Sequence, residues 1–302
     1  MVSKNFKSLK YLLLIFVILT SCQSAPRVPD VFTESANHAP LNTGASVYIF
    51  ADVKKARPII DMLPINELQD KQTAQMLDRT DFFTAALFPA ASGKRFQLTA
   101  WGNYPNSQAN FAFSIDKNWQ KHNNDTGLSF WHSSANGLSI AMTSKQAFVV
   151  SSLNETITDP FPAIPGVEIP DGFGIFRHGN SNFPLSPLAL WINNPGPAVT
   201  RLFNEIGIPV RSAVHEVFIC FLPEDSRYKA RIMLRMENAS HARGMASIIN
   251  IAGGLLNNGS EIPVASIFLA NPVIQDGRDL FFLSAPLGEN ELTLLFMMFS
   301  LY

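Results

Sequence analysis

Apolar positions along this chain fall into strand-length runs separated by weakly charged helical stretches, and the same order of runs occurs twice. In the first half, Ser46-Val47-Tyr48-Ile49-Phe50 reads as a short apolar strand. It leads into a short helix over 52–63, with Asp52 placed to cap it. Phe82 to Phe88, ending at Pro89, supplies a second strand. Phe96, Leu98 and Ala100 then alternate with Arg95, Gln97 and Thr99, which predicts a strand with one face buried and a polar face in water. A second helix is expected to start and be capped near Asn106 and to run through Phe111, Phe113, Ile115 and Trp119. Leu138 to Met142 turns into Ala147 to Val150 as a closing strand pair.

The second half follows suit. Leu188 to Ile192 opens it, Pro197 to Phe203 supplies a helix, and Val217 to Leu222 ends in Pro223 as the earlier strand ends in Pro89. The alternating strand Ala230 to Arg235 stands 134 residues after its counterpart at Phe96, and Ser240, expected to cap a helix, stands 134 residues after Asn106. Asp276 to Ser284 echoes Thr143 to Ser151 at a spacing of 133. The implied unit is strand-helix-strand-strand-helix-strand-strand, internally duplicated. Neighbouring strands joined by tight turns predict an α+β fold, mostly antiparallel sheet with amphipathic helices packed on it.

The chain therefore divides into a leading segment over 1–21, a Ser-, Pro- and Asn-rich flexible tether over 22–44, a first repeat over 45–159, a connector over 160–187 and a second repeat over 188–302. The connector holds six prolines. The leading segment has its own pattern. Lys4, Lys7 and Lys10 precede the apolar run Tyr11 to Leu19, and Leu19-Thr20-Ser21-Cys22 closes it with small residues. That is the layout of a secretory signal, too short for a comfortable bilayer span.

Ending on Leu-x-Ser-Cys, the segment resembles a bacterial lipoprotein signal. The alternatives are an ordinary signal peptide or a chance cysteine beside a membrane helix. The resemblance implies cleavage before Cys22, a diacylglyceryl group on its sulfur and an acylated amino terminus, with no other cofactor. Two or three acyl chains would hold such a protein at a bilayer where one binds only reversibly. Loss of the three signal lysines takes the formal net charge from −1 to −4. A weakly acidic chain is a poor fit for nucleic acid or for electrostatic docking on anionic lipid. Cys220 would remain the single cysteine; its apolar neighbours predict a small buried side chain.

Catalytic spacing is not found. The six histidines form no metal-binding pattern, Gly93-Lys94 lacks the rest of a phosphate loop, and no Gly-x-Ser-x-Gly elbow occurs. His215 and Glu216 are neighbours on a strand and point to opposite faces. An enzyme is not expected.

Two apolar segments stand out instead. From Ser240 onward, Met245, Ile248, Ile249, Ala252, Leu255 and Leu256 make one stripe at helical spacing, and no charged residue occurs from Gly244 to Ser260. The end of the chain, Leu292 to Tyr302, is more apolar still and presents Leu295, Phe296 and Phe299. Either these stripes face a core, or they contact lipid.

With the Leu19 to Cys22 lipobox, the Ser46 to Leu63 strand-helix opening and the weakly charged helix from Ser240 to Asn257, the chain resembles a spirochaete family, the treponemal outer-membrane lipoproteins. That resemblance implies a mixed α/β body, attachment to the inner leaflet of the outer membrane, and amphipathic helices that insert into or perturb lipid. No site of the family is carried over residue by residue. Membrane lipid is the expected partner, with another envelope protein or a second copy of the chain as alternatives and no nucleic acid. A carrier holding a lipid or other hydrophobic ligand on the periplasmic side, and an adaptor recruiting an envelope protein through 160–187, are the competing functions.

Overall fold

A computed structural model describes residues 38–39, 41–62, 71–89, 95–144, 147–153, 167–168, 186–195, 200, 213–224, 227–256, 271–288 and 290–292. The lipobox, the helix expected over 197–203 (except Thr200) and the apolar residues Leu295, Phe296 and Phe299 lie outside them. The chain forms two compact units, Met1–Arg57 with Ile65–Pro170, and Pro58–Pro64 with Asp171–Tyr302.

The first unit contains strands β1 (His38–Ala39), β2 (Val47–Asp52), β3 (Thr80–Phe88), β4 (Arg95–Gly102), β5 (Gln120–Asn123), β6 (Ser129–Ser133), β7 (Leu138–Ser144), β8 (Ala147–Ser151) and β9 (Val167–Glu168). Its main sheet has the order β2-β3-β4-β8-β7-β6-β5, antiparallel at every pairing. Helix α1 (Val53–Asp61) follows β2 at once, and the Lys55 N–H donates to Asp52 Oδ1 at 3.2 Å, the expected cap. Helix α2 (Lys71–Arg79) precedes β3 and had no forerunner in the sequence pattern.

Helix α3 (Asn106–Ile115) covers one face of this sheet. Its Ala109 and Phe113 join Ala100, Trp131, Ile140, Phe148 and Val150 in one apolar cluster. It departs from expectation at both ends. Pro105 precedes it with no side-chain cap, and it stops at Ile115, so Trp119 lies beyond the helix and packs back on Phe113.

The other face of the sheet is buried too, which corrects the prediction of a polar, wetted side for β4. Cross-strand pairing aligns Tyr48, Ala86, Gln97, Ser151, Ser139 and His132 in one row, and every one is buried. Polar side chains are tolerated inside only with partners, and several have them. Gln97 Oε1 accepts the Asn42 N–H at 2.7 Å, while the Tyr48 hydroxyl accepts the Ala45 N–H at 3.1 Å and donates to the Asn42 carbonyl at 3.3 Å. Leu41 is buried as well. The segment expected as free tether up to residue 44 is thus fastened to the sheet from Leu41 onward, and β1 pairs with β9, His38 opposite Glu168. Part of the connector expected over 160–187 is therefore strand.

The second unit contains β10 (Leu188–Asn193), β11 (Val214–Glu224), β12 (Arg227–Met236), β13 (Ile274–Asp276) and β14 (Asp279–Leu283), in the order β13-β14-β12-β11-β10. Gly277, φ 57°, occupies the first central position of the two-residue β13–β14 turn, where a type II′ turn places glycine. Across the sheet, Arg235 bonds Glu216 at 2.9 Å and Asp279 at 3.1 Å, and its guanidinium lies 5.3 Å from the Phe218 ring centroid. Burial works to lower its pKa, but the two carboxylates outweigh that and raise it. Cys220 is buried, and burial pushes its thiol up to about 12.

Candidate functional site

Helix α4 (Ala239–Leu256) is the segment singled out from its apolar stripe. Its cap is Asn238, not Ser240: Asn238 Oδ1 accepts the His241 N–H at 2.9 Å. One side, Ala242, Met245, Ala246 and Ile249, is buried. The helix meets β12, β13 and β14, and Asn250 Oδ1 accepts the Val273 N–H at 3.1 Å.

The expected stripe therefore divides. Met245 and Ile249 are core residues, whereas Ile248 sits at the boundary with 37% exposure. Ile251, outside that stripe, is 65% exposed. The side chains of Ala252, Leu255 and Leu256 lie outside the described residues.

Helix α3 shows the same division more sharply. Its ten residues, Asn-Ser-Gln-Ala-Asn-Phe-Ala-Phe-Ser-Ile, carry no charge. Phe113 is sealed beneath it, with Trp119 at 4.8 Å and Trp131 at 5.9 Å between ring centroids, and Trp131 Nε1 donates to Asn110 Oδ1 at 2.8 Å. On the outer side, Phe111 and Ile115 are 66% and 67% exposed and stand one helical turn apart. The sequence held a signal for them. Residues two apart on a helix are separated by about 200° of rotation, so the run Phe111, Phe113, Ile115 had to place apolar groups on both sides. The pair Ile249 and Ile251 obeys the same rule.

Both helices are thus apolar on the core side and also carry large apolar side chains outward. Surface helices ordinarily present a polar or charged outer face. Among the described residues there is no cluster of three or more His, Cys, Asp or Glu able to hold a metal, and no helix long and apolar enough to cross a membrane.

The described residues form an α+β body, mostly antiparallel sheet, whose helices α3 and α4 carry exposed apolar side chains. A family model for the outer membrane-associated lipoprotein TP0453 matches residues 39–261, and the chain belongs to that family. The fold agrees. Crystal form III of TP0453 shares 17% identity at a TM-score of 0.54, covering 85% of this chain and 95% of that one. Crystal form I shares 18% at 0.54, covering 87% and 98%. No curated protein matches the chain in sequence. The family is one of outer membrane-associated lipoproteins, as the resemblance of the sequence had implied, and membrane association fits the exposed apolar side chains of α3 and α4.

Proposed function

We propose that the protein is held at the periplasmic leaflet of the outer membrane by acyl chains on Cys22 and adds lipid contacts of its own through α3 and α4. The observation that carries this reading is the outward set Phe111, Ile115, Ile248 and Ile251 on helices without charge on α3 and, on α4, without charge beyond Arg243. Fully burying such a side chain is worth about 1.5–3 kcal/mol. Four of them, already part-shielded, would add several kcal/mol of partition energy, by order of magnitude. The anchor multiplies that effect, because a tethered helix meets the bilayer at high effective concentration. Helices too short to span fit a position in the interface, apolar side down.

Flotation with zwitterionic phosphatidylcholine vesicles tests the reading. The full chain with Cys22→Ser should still float in part, and Ile251→Asp should reduce flotation without lowering the melting temperature. If the Cys22→Ser chain stays wholly in the unbound fraction, the helices add nothing and the reading is wrong. Asp at Ile249, by contrast, is not a test of lipid contact, because that side chain is core.

A further inference from the structure

At the β5 edge of the first unit's sheet, the face away from α3 carries two imidazoles. Ser139 and His132 are paired across β7 and β6, and His132 Nδ1 shares a hydrogen bond with Ser139 Oγ at 2.9 Å. His132 is only 2% exposed. His122, on β5, lies diagonally opposite, its ring 6.2 Å from that of His132 and 5.6 Å from that of Phe130. His122 Nε2 is buried without a hydrogen-bond partner. The surroundings are apolar: Phe130, Ala141 and Val149 form a cluster with Leu128 against it. Among the described residues of β5, β6, β7 and β8 on this face, His122 is the titratable group that meets His132; Gln120, Ser139 and Ser151 complete the row without charge. Burial first, and then His122, hold His132 below its ordinary 6.5.

The next residue along β6 works on the other side of the sheet. Trp131 grips α3 through Asn110 and Phe113, and Trp119, just ahead of β5, packs on Phe113 as well. Of the two tryptophans that hold the helix down, Trp131 lies on β6 and Trp119 immediately precedes β5, and among the described residues the β5–β6 hairpin is an edge pair bonded into the sheet through β7.

We propose that the β5–β6 hairpin is an acid-released latch under α3: a proton on His132 loosens the hairpin and, with it, the tryptophan grip on the helix. In the closed hairpin the imidazole is neutral, in a site that disfavours charge; in the open hairpin it titrates normally. Protons thus bind the open form in preference below pH 6.5. The closed form keeps its full advantage above that value and loses it as pH falls toward the lowered value of the closed state. One unit below, the opening equilibrium rises by at most about ten-fold. Release of α3 toward lipid rests on the function proposed above; the latch itself does not.

Hydrogen exchange of the full chain with Cys22→Ser at about pH 7.5 and about pH 5.5, corrected for intrinsic rates and referenced to β11 and β12, tests it. Peptides covering 106–133 should lose up to about ten-fold of their protection at the lower pH while the reference does not. His132→Asn, which retains a polar partner for Ser139 and cannot titrate, should abolish the loss. Equal wild-type protection at both pH values overturns the latch, whether or not the variant folds; so does an undiminished loss in a folded His132→Asn chain. Flotation with phosphatidylcholine vesicles at the two pH values separates this from the lipid reading. A hairpin that opens without added flotation supports the latch and counts against lipid contact by α3. Acid-enhanced flotation without loss of protection overturns the latch alone.

Discussion

Phe111 and Phe113 offer a matched pair, the same side chain two residues apart on one helix with opposite surroundings. Phe113 is fully buried against Trp119 and Trp131. Replacing it by Ala removes a ring and leaves a cavity, at a cost of about 3–5 kcal/mol, which is a large share of the 5–15 kcal/mol typical of a whole domain. Phe111 is 66% exposed, so Phe111→Ala should change stability by less than about 0.5 kcal/mol, with alanine's helix propensity in its favour. Lipid binding should reverse the ranking. Roughly two thirds of the phenylalanine transfer energy is still available to a bilayer, about 1–2 kcal/mol, so truncation should weaken the vesicle partition coefficient about five- to thirty-fold. Chemical denaturation gives the first quantity; flotation of the Cys22→Ser chain against rising lipid concentration gives the second. Unchanged partitioning of a folded Phe111→Ala chain would refute the assignment of α3 to lipid. A Phe113→Ala chain as stable as Phe111→Ala would refute the packing on which the assignment stands.

Two further substitutions probe the frame. Asn238→Ala should destabilise the second unit by about 1 kcal/mol through loss of the α4 cap, whereas Ser240→Ala should be near neutral; urea denaturation of each separates the two candidate caps. Gly102→Ala should be strongly destabilising, more than about 2 kcal/mol, because a Cβ there would come within 1.9 Å of the Arg79 carbonyl oxygen, a backbone atom held by its bond from the Asn103 N–H. A melting temperature equal to wild type would show that this close approach is absent.

Much of the sheet was legible because its strands bury both faces or alternate cleanly. Val217 to Phe221 is an unbroken apolar run and forms the buried middle of β11; Ser46 to Phe50 and Ala147 to Val150 gave β2 and β8 in the same way. The failures have separate physical causes. Gln97 and Thr99 look solvated in a strand pattern, yet the segment around Asn42 lies over them and supplies the partner that Gln97 needs. Gln120 to Asn123 has no strand composition, and its pairing to β6 rests on the turn built by Asn124, whose Oδ1 accepts the Thr126 and Leu128 N–H groups. The cap was misplaced by two residues at α4, since serine and asparagine both qualify there, and the His241 N–H donates to Asn238.

Helix α3 follows β4 and α4 follows β12; β8 then pairs antiparallel with β4, and β14 with β12. These two helices carry the outward apolar residues Phe111, Ile115, Ile248 and Ile251. A core-only account of the apolar stripe explains Met245, Ile249, Ala109 and Phe113 and stops there, because a stripe that merely fills a core has no reason to continue onto the far side. Phe111 and Ile115 on α3, and Ile248 and Ile251 on α4, are large apolar side chains left exposed. Scattered apolar surface residues are ordinary in any soluble protein. Four such residues on two helices, with no charged side chain on α3 or after Arg243 on α4, fit the lipid contact proposed above better than a stripe that only fills a core.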